Sequence, residues 1–304
     1  HKVKGYEEVT RDIATLLLRN AAEQGSIDIV QAISAPLPIC VIVNILGVPE
    51  EDADMLVQWS DELIDSTGVP ADAYGNTTPL ELLPFSAPAS HALFEYGRRM
   101  REERAAHPRD DLVTTLVKAR FEGEALSDHD FKNMFHVLVF AGNETTRTAI
   151  SNGIKAFIDN PDQLDLLYRR PELVENAVEE IIRYATPVLH MRRTATRDTE
   201  LAGVAIKEND KVVIWYCSAN FDEAEFADPL RFDITRPVKP PQVSFGAKGP
   251  HHCLGAPLAR MEIRVLLEEM IKQGTRFEQT APLTRTNSNF VNGIAAFPGL
   301  VTRS

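Results

Sequence analysis

The stretch Ser244–Arg260, SFGAKGPHHCLGAPLAR, sets one cysteine in a glycine-rich run, with two histidines before it and a helix start behind it. Gly246, Gly249 and Gly255 allow positive φ and let the backbone approach something closely. Pro257 suits the first turn of a helix, and Leu258, Met261 and Val265 mark its apolar face. Cys253 therefore sits just before a helix N-terminus, whose unpaired N–H groups favour an anion and so a thiolate. Such a thiolate is a nucleophile or a metal ligand; a buried cysteine in a turn is the plain alternative. A zinc site is weaker, because His251, His252 and Cys253 are adjacent and no C-x-x-C or H-x3-H partner accompanies them. A Cys–His nucleophile leaves the glycines without a task. A large flat ligand would use them, which points to haem with a cysteine axial ligand.

Around this stretch lies a chain of 304 residues, 44% hydrophobic and 25% charged, an ordinary composition for a soluble globular protein with a sizeable core. The net charge of −12 argues against nucleic acid and against an anionic membrane surface as partners. No apolar run approaches the ~18 residues of a membrane span. Three cysteines at wide spacing fit a reducing compartment, here the cytoplasm, better than a disulfide framework. Cys40 and Cys217 lie in apolar surroundings and read as small buried hydrophobes. The opening HKVKGYEEVTRD is neither a start methionine nor a signal peptide.

Apolar spacing of three and four predicts helices over 6–24, 36–46, 50–65, 80–106, 110–120, 128–159, 161–169 and 172–185. The stretch 66–79 is the longest break among them, a linker or an access loop. After residue 186, RRTATRDTEL and DKVVIWYCS read as strands. Residues 218–257 read as loop, a final helix runs from 257 to 273, and two or three short strands close the chain. A loop that long inside a compact domain usually carries function. The expected fold is mainly α with a small β region. It forms one domain over 1–304, helix-rich in 1–185, with β structure and the cysteine loop in 186–304.

The cysteine loop resembles the haem-binding loop of cytochromes P450, Phe-x-x-Gly-x-His/Arg-x-Cys-x-Gly. Gly249, His251, Cys253 and Gly255 match in place; Phe245 is one residue further from the cysteine, as in bacterial members with an extra residue, here Lys248. Three further motifs follow in family order. FAGNETTRTAI places Gly142 in mid-helix, at a cost of roughly 1 kcal/mol relative to Ala, and then four polar residues in an otherwise apolar helix. Such a spot often marks a local widening of the helix. It resembles the family's oxygen-binding kink, which includes Ala141 and Gly142 and makes Glu144 and Thr145 the acid–alcohol pair that relays protons to bound dioxygen. EEIIRY resembles the structural Glu-x-x-Arg, with Glu180 and Arg183 pairing Arg231 of DPLRF. In TPVLHMRRT, the resemblance makes Arg193 a haem propionate partner, with His251 on the other propionate.

The resemblance implies a cytochrome P450 fold that is N-terminally incomplete here, lacking the segment that would carry the first sheet strands and a helix over the substrate. It implies haem b (iron protoporphyrin IX) on the Cys253 thiolate, with Phe245, Gly246, Gly249 and Gly255 around it. The implied activity is a monooxygenase inserting one atom of O2 into a C–H bond of a terpenoid, branched alkyl or sterol-like substrate. Val139, Phe140, Val188, Leu189, Phe290 and Val291 would line the substrate pocket. Electrons would come from a ferredoxin and its reductase, docking on a basic patch of Lys248, Arg260 and Arg264. The rivals are a P450-fold isomerase or dehydratase, against which the Glu144–Thr145 pair speaks, and a non-catalytic haem-binding fragment.

Overall fold

The computed structural model describes residues 3–64, 70–79, 82, 87–246 and 249–303. The expected helices appear as α1 (Glu7–Gln24), α2 (Pro36–Leu46), α3 (Ala53–Ile64), α4 (Pro88–Ala106), α5 (Leu112–Lys118), α6 (Asp128–Asp159), α7 (Pro161–Arg169) and α8 (Val174–Ala185). A short α9 (Tyr216–Asn220) and a long α10 (Ala256–Gln273) follow. The helix expected from residue 80 starts later where it is described: Ala87 is extended and Pro88 opens α4, since the residue before proline is held out of the helical region. Residues 80, 81 and 83–86 lie outside the described residues, as do residue 65 of the expected helix and 66–69 of the expected break. Cys40 and Cys217 are half-buried rather than fully buried.

The local signals explain these elements. Ser127 caps α6 by accepting the Asp130 N–H at 3.0 Å, and Asp128 and Asp130 complement the positive end of the helix dipole. α2 reads PLPICVIVNIL, apolar nearly all round, so it is buried on most sides and ends at Gly47 in the left-handed region. α6 is the spine, packed by α2, α3, α4, α8 and α10. One apolar cluster joins α1, α8, α10 and the second half of α6 through Leu18, Ile154, Ile181 and Leu266. Another joins α2, α3, α4 and the first half of α6 through Leu46, Leu56, Leu93 and Phe135.

The strands are short. Before α6 come β1 (Ser26–Asp28), β2 (Arg120–Phe121) and β3 (Glu124–Ala125); after α8 come β4 (His190–Thr194), β5 (Thr199–Leu201), β6 (Val204–Ile206) and β7 (Lys211–Trp215). The chain closes with β8 (Thr275–Gln279), β9 (Thr284–Arg285), β10 (Ile294–Ala296) and β11 (Pro298–Arg303). β1 was not expected in the helical part. It pairs antiparallel with β11, Ile27 opposite Gly299, and β11 pairs on its other edge with β8. The first and last strands thus meet in one sheet. β4 pairs with β7, β5 with β6, β9 with β10 and β2 with β3, all antiparallel. Among the described residues no helix is long and apolar enough to cross a membrane.

Candidate functional site

The cysteine loop folds back on itself before α10. Cys253 donates its N–H to the Phe245 carbonyl at 3.0 Å, and Ala256 at the helix start donates to the Cys253 carbonyl at 3.3 Å. Gly246 has φ +80° and Gly249 φ +151°, as the close approach required. Gly255 does not: its φ is −79° and it caps α10. A Cβ on it would sit 3.8 Å from the Cys253 sulfur, an ordinary contact, so neither its φ nor the space around it requires a glycine. His251 and Cys253 are exposed. Among the described residues no three His, Cys, Asp or Glu side chains converge as a metal cage, so Cys253 stands as a lone protein donor. Lys248 lies outside the described residues.

The expected basic patch is not a free one. Glu179 holds Arg260 through both carboxylate oxygens, one of them 3.2 Å from Nη2. Glu7 and Glu268 hold Arg264 at 2.9 and 2.8 Å. These carboxylates come from α1, α8 and α10 itself, so only the assembled fold reveals the neutralisation.

On α6, the backbone stays α-helical through 141–146, so the expected local widening is absent there. A π-helical turn occurs instead at Val30–Ser34. Thr145 Oγ1 donates to the Ala141 carbonyl at 2.8 Å, which satisfies the hydroxyl inside its own helix. Glu144 is only 2% exposed. Its Oε2 lies 3.4 Å from Arg147 Nη1, and a Cβ on Gly293 would lie 3.7 Å from Oε1. Burial pushes its carboxyl up to about 7, against the pull of Arg147 and with a further push from Asp61. Among the described residues no hydrogen bond joins Glu144 to Thr145; adjacent on the helix, they point about 100° apart.

Met134, Val137 and Ala141 are exposed and share a stripe with half-buried Thr145 at spacings of three, four and four. Val137 is 53% exposed, while Val139 is fully buried in the cluster with α2 and α4. Val139 is therefore core and not pocket lining, and Phe140 is half-buried beside the stripe. Gly142 faces α2: a Cβ there would meet Ile42 at 3.2 Å, so this glycine permits close helix packing. Sequence reasoning missed Val137, which counting back eight from Thr145 would have found.

The other four expected pocket residues come together. Val188 forms a bridge with buried Val291, and Leu189 donates to the Phe290 carbonyl at 2.9 Å. The Phe290 and Trp215 rings both stand edge-on to His190. Asn292 ties this turn to α8, its side chain donating to the Ala185 carbonyl at 2.7 Å, and Asn152 of α6 donates to the Asn292 carbonyl at 3.0 Å. From Leu189 the connection runs to Tyr216, which donates its N–H at 2.9 Å, and the Tyr216 hydroxyl would lie 3.7 Å from a Cβ on Gly246. Hydrogen bonds thus link α6, the C-terminal turn, the residue entering β4 and Tyr216 of α9, whose hydroxyl lies near the cysteine loop.

The loop is locked from behind. Arg183 forks onto Glu180 at 2.8 and 2.9 Å, both side chains nearly fully buried. The second arginine on Glu180 is Arg236, at 3.1 Å, and not Arg231. Arg231 is exposed, and what it gives the Glu180 network is its carbonyl, which Arg236 reaches at 2.9 Å. The DITR turn, with the Asp233 N–H on Glu180 at 3.0 Å, carries Arg236 inward. Asn220 was also missed. Fully buried, it bonds Thr186, Ser244 and the Val243 N–H at 2.8–2.9 Å, joining α8 and α9 to the start of the cysteine loop. Arg193 is exposed, and among the described residues no carboxylate pairs with it.

A family model for Cytochrome P450 matches residues 3–293. The chain belongs to the cytochrome P450 family. Among curated P450 relatives, a steroid C26-monooxygenase of Mycolicibacterium smegmatis is 41% identical over 288 residues, covering 95% of this chain and 64% of that protein. A methyl-branched lipid omega-hydroxylase of Mycobacterium bovis is 39% identical over 289 residues, covering 95% and 65%. A solved Mycobacterium marinum cytochrome P450 in complex with pseudoionone superposes with TM-score 0.87 at 33% identity, covering 98% of this chain and 71% of that one. This P450 chain thus spans a little under two thirds of the length of the curated relatives it matches.

The residues present fit a haem. An exposed thiol stands in a glycine cradle at a helix N-terminus, Arg193 has no carboxylate partner among the described residues, and α6 carries an exposed apolar stripe ending at Thr145.

Proposed function

We propose that the protein is a haem-thiolate monooxygenase that inserts one atom of dioxygen into a C–H bond of a sterol or branched-lipid substrate. The observation that carries this reading is the pairing of an exposed Cys253, presented at the N-terminus of α10, with the Glu144–Thr145 step on α6. The whole chain then works as one domain. Haem b bound through Cys253 would supply the oxygen activation, since thiolate ligation pushes electron density that favours O–O cleavage. Arg193 and His251 would hold its two propionates, Arg193 by a fork of donors. The stripe Val137–Ala141 offers a flat apolar wall and keeps water from it. Thr145, at the end of that wall, would orient a proton at its hydroxyl, and Glu144, which points away from it on the helix, would replenish that proton through water. Near neutral pH Glu144 can both accept and give a proton.

The substrate class rests on the names of the relatives and on the apolar cluster of Val188, Leu189, Phe290 and Val291. A ferredoxin and its reductase are the proposed electron source, and three unpaired cysteines favour the cytoplasm. The test is the carbon monoxide difference spectrum of the dithionite-reduced, haem-loaded protein. A strongly red-shifted Soret band is expected, as a thiolate ligand requires. A band of histidine or neutral-thiol ligation would overturn the assignment of Cys253.

A further inference from the structure

Asp61 lies on the last turn of α3, a helix packed across α6. Its Oδ1 forms an ion pair with Arg147 Nη1, the same nitrogen that reaches Glu144 Oε2 at 3.4 Å. The Arg147 side chain is 6% exposed, that of Glu144 3% and that of Asp61 40%. Two acids therefore share one donor atom. The surface acid holds it closely, while the buried acid holds it at the long end of hydrogen-bond range.

We propose that Asp61 is a positioning residue for the proton relay: its ion pair with Arg147 ties the seating of α3 on α6 to whether Glu144 is held by Arg147 or left free to carry a proton. This rests on the reading of Glu144 and Thr145 given above. While α3 is seated, Asp61 neutralises much of the Arg147 charge and Glu144 remains protonatable near neutral pH. When α3 lifts, Arg147 turns its whole charge to Glu144, which ionises and is locked. The charged groups acting on Glu144 among the described residues are Arg147 on its own helix and Asp61 from α3. The C-terminal turn presents uncharged Gly293 to Oε1. Ser60 Oγ, next to Asp61, and the Asn143 amide and Arg147 Nε are buried without partners among the described residues. Buried polar atoms of that kind are where ordered water sits, and water supplies the protons to be carried.

The experiment uses the haem-loaded protein and its D61N, D61S and D61E variants. The protonated-carboxyl infrared band of Glu144 is identified by its loss in E144Q and titrated with pH. In D61N and D61S the midpoint is expected to fall by about one pH unit or more, the effect of removing a competing acid from a shared cation. D61E restores it. The limb of the turnover–pH profile that needs protonated Glu144 moves the same way, and a larger share of oxygen is released as peroxide at pH 7. A band midpoint and a pH limb unmoved in both D61N and D61S would overturn the proposal, whatever their melting temperatures. The carbon monoxide spectrum of the same samples separates the two readings. With the thiolate band present, an unmoved midpoint sinks only the role of Asp61; without that band, the monooxygenase reading itself fails.

Discussion

The guanidinium of Arg260 stacks 4.5 Å above the ring of Phe245, whose carbonyl holds the Cys253 N–H. Glu179 holds the guanidinium at its Nε and Nη2 edge. The second turn of α10 therefore clamps the start of the loop that presents the thiol. A stacked cation at a partly exposed site is worth about 0.5–1 kcal/mol. Arg260→Gln is expected to speed haem loss by roughly two- to fivefold, the same energy expressed as a rate. Haem transfer to apomyoglobin measures it, and Arg260→Lys, which keeps charge without the flat stack, should lie between.

Glu180 accepts from buried Arg183 and half-buried Arg236, and removal of one partner strands the others. Glu180→Ala should cost about 3–5 kcal/mol, the cost of breaking a buried pair. Arg236→Ala should be strongly destabilising too. Arg231→Ala keeps the one atom that matters, the carbonyl, and should stay within about 0.5 kcal/mol of the parent. Urea unfolding of the three variants ranks them; equal losses for Arg231 and Arg236 would contradict the assignment.

Burial pushes the Glu262 carboxyl in α10 up to about 8, from an ordinary value of 4.5. The folded state thus holds this proton over a pH window in which the unfolded state has released it. Stability from this group is complete below pH 4.5 and is lost as pH rises through about 8. Glu262→Gln has no proton to lose. Urea midpoints at several pH values across that window should fall with rising pH in the parent and fall less in the variant.

Thr145→Ala removes the hydroxyl at the end of the α6 stripe. Product formation should drop on the order of a hundredfold, the usual worth of a positioned acid–base group, while peroxide release rises and the carbon monoxide band stays. Parallel product and peroxide assays read this directly. Unchanged coupling would remove Thr145 from the relay.

Asn292→Ala unties the C-terminal turn from α8 and leaves the Ala185 carbonyl without that donor. The expected loss is about 1–3 kcal/mol, with weaker substrate binding, since Phe290 and Val291 ride on the same turn. Thermal unfolding and substrate spin-shift titration check the two parts.

Much of the molecule was legible as sequence because its signals are local. Helix periodicity set α2, α6 and α7 to their observed bounds, and Pro257 marked the start of α10. The cysteine loop and the GNETT step are contiguous, so their spacing carries their chemistry. What could not be read were partners set by long-range approach. Arg236 displaced Arg231 because the DITR turn faces inward, and Arg260 and Arg264 were neutralised by acids from other helices. Val139 and Val137 are equally apolar in sequence; only the packing of α2 and α4 on α6 decides which one is core.

The sequence by itself determined the mainly helical architecture, the family, and which thiol, acid and hydroxyl stand in the decisive motifs, since i to i+4 spacing and turn chemistry act within one segment. The tertiary structure alone decided the pairing of the first and last strands in one sheet, the face of α6 turned outward, and the state of Glu144. Those depend on desolvation and on charges from distant parts of the chain: an acid carries no raised pKa until the fold buries it and brings Asp61 to share its arginine.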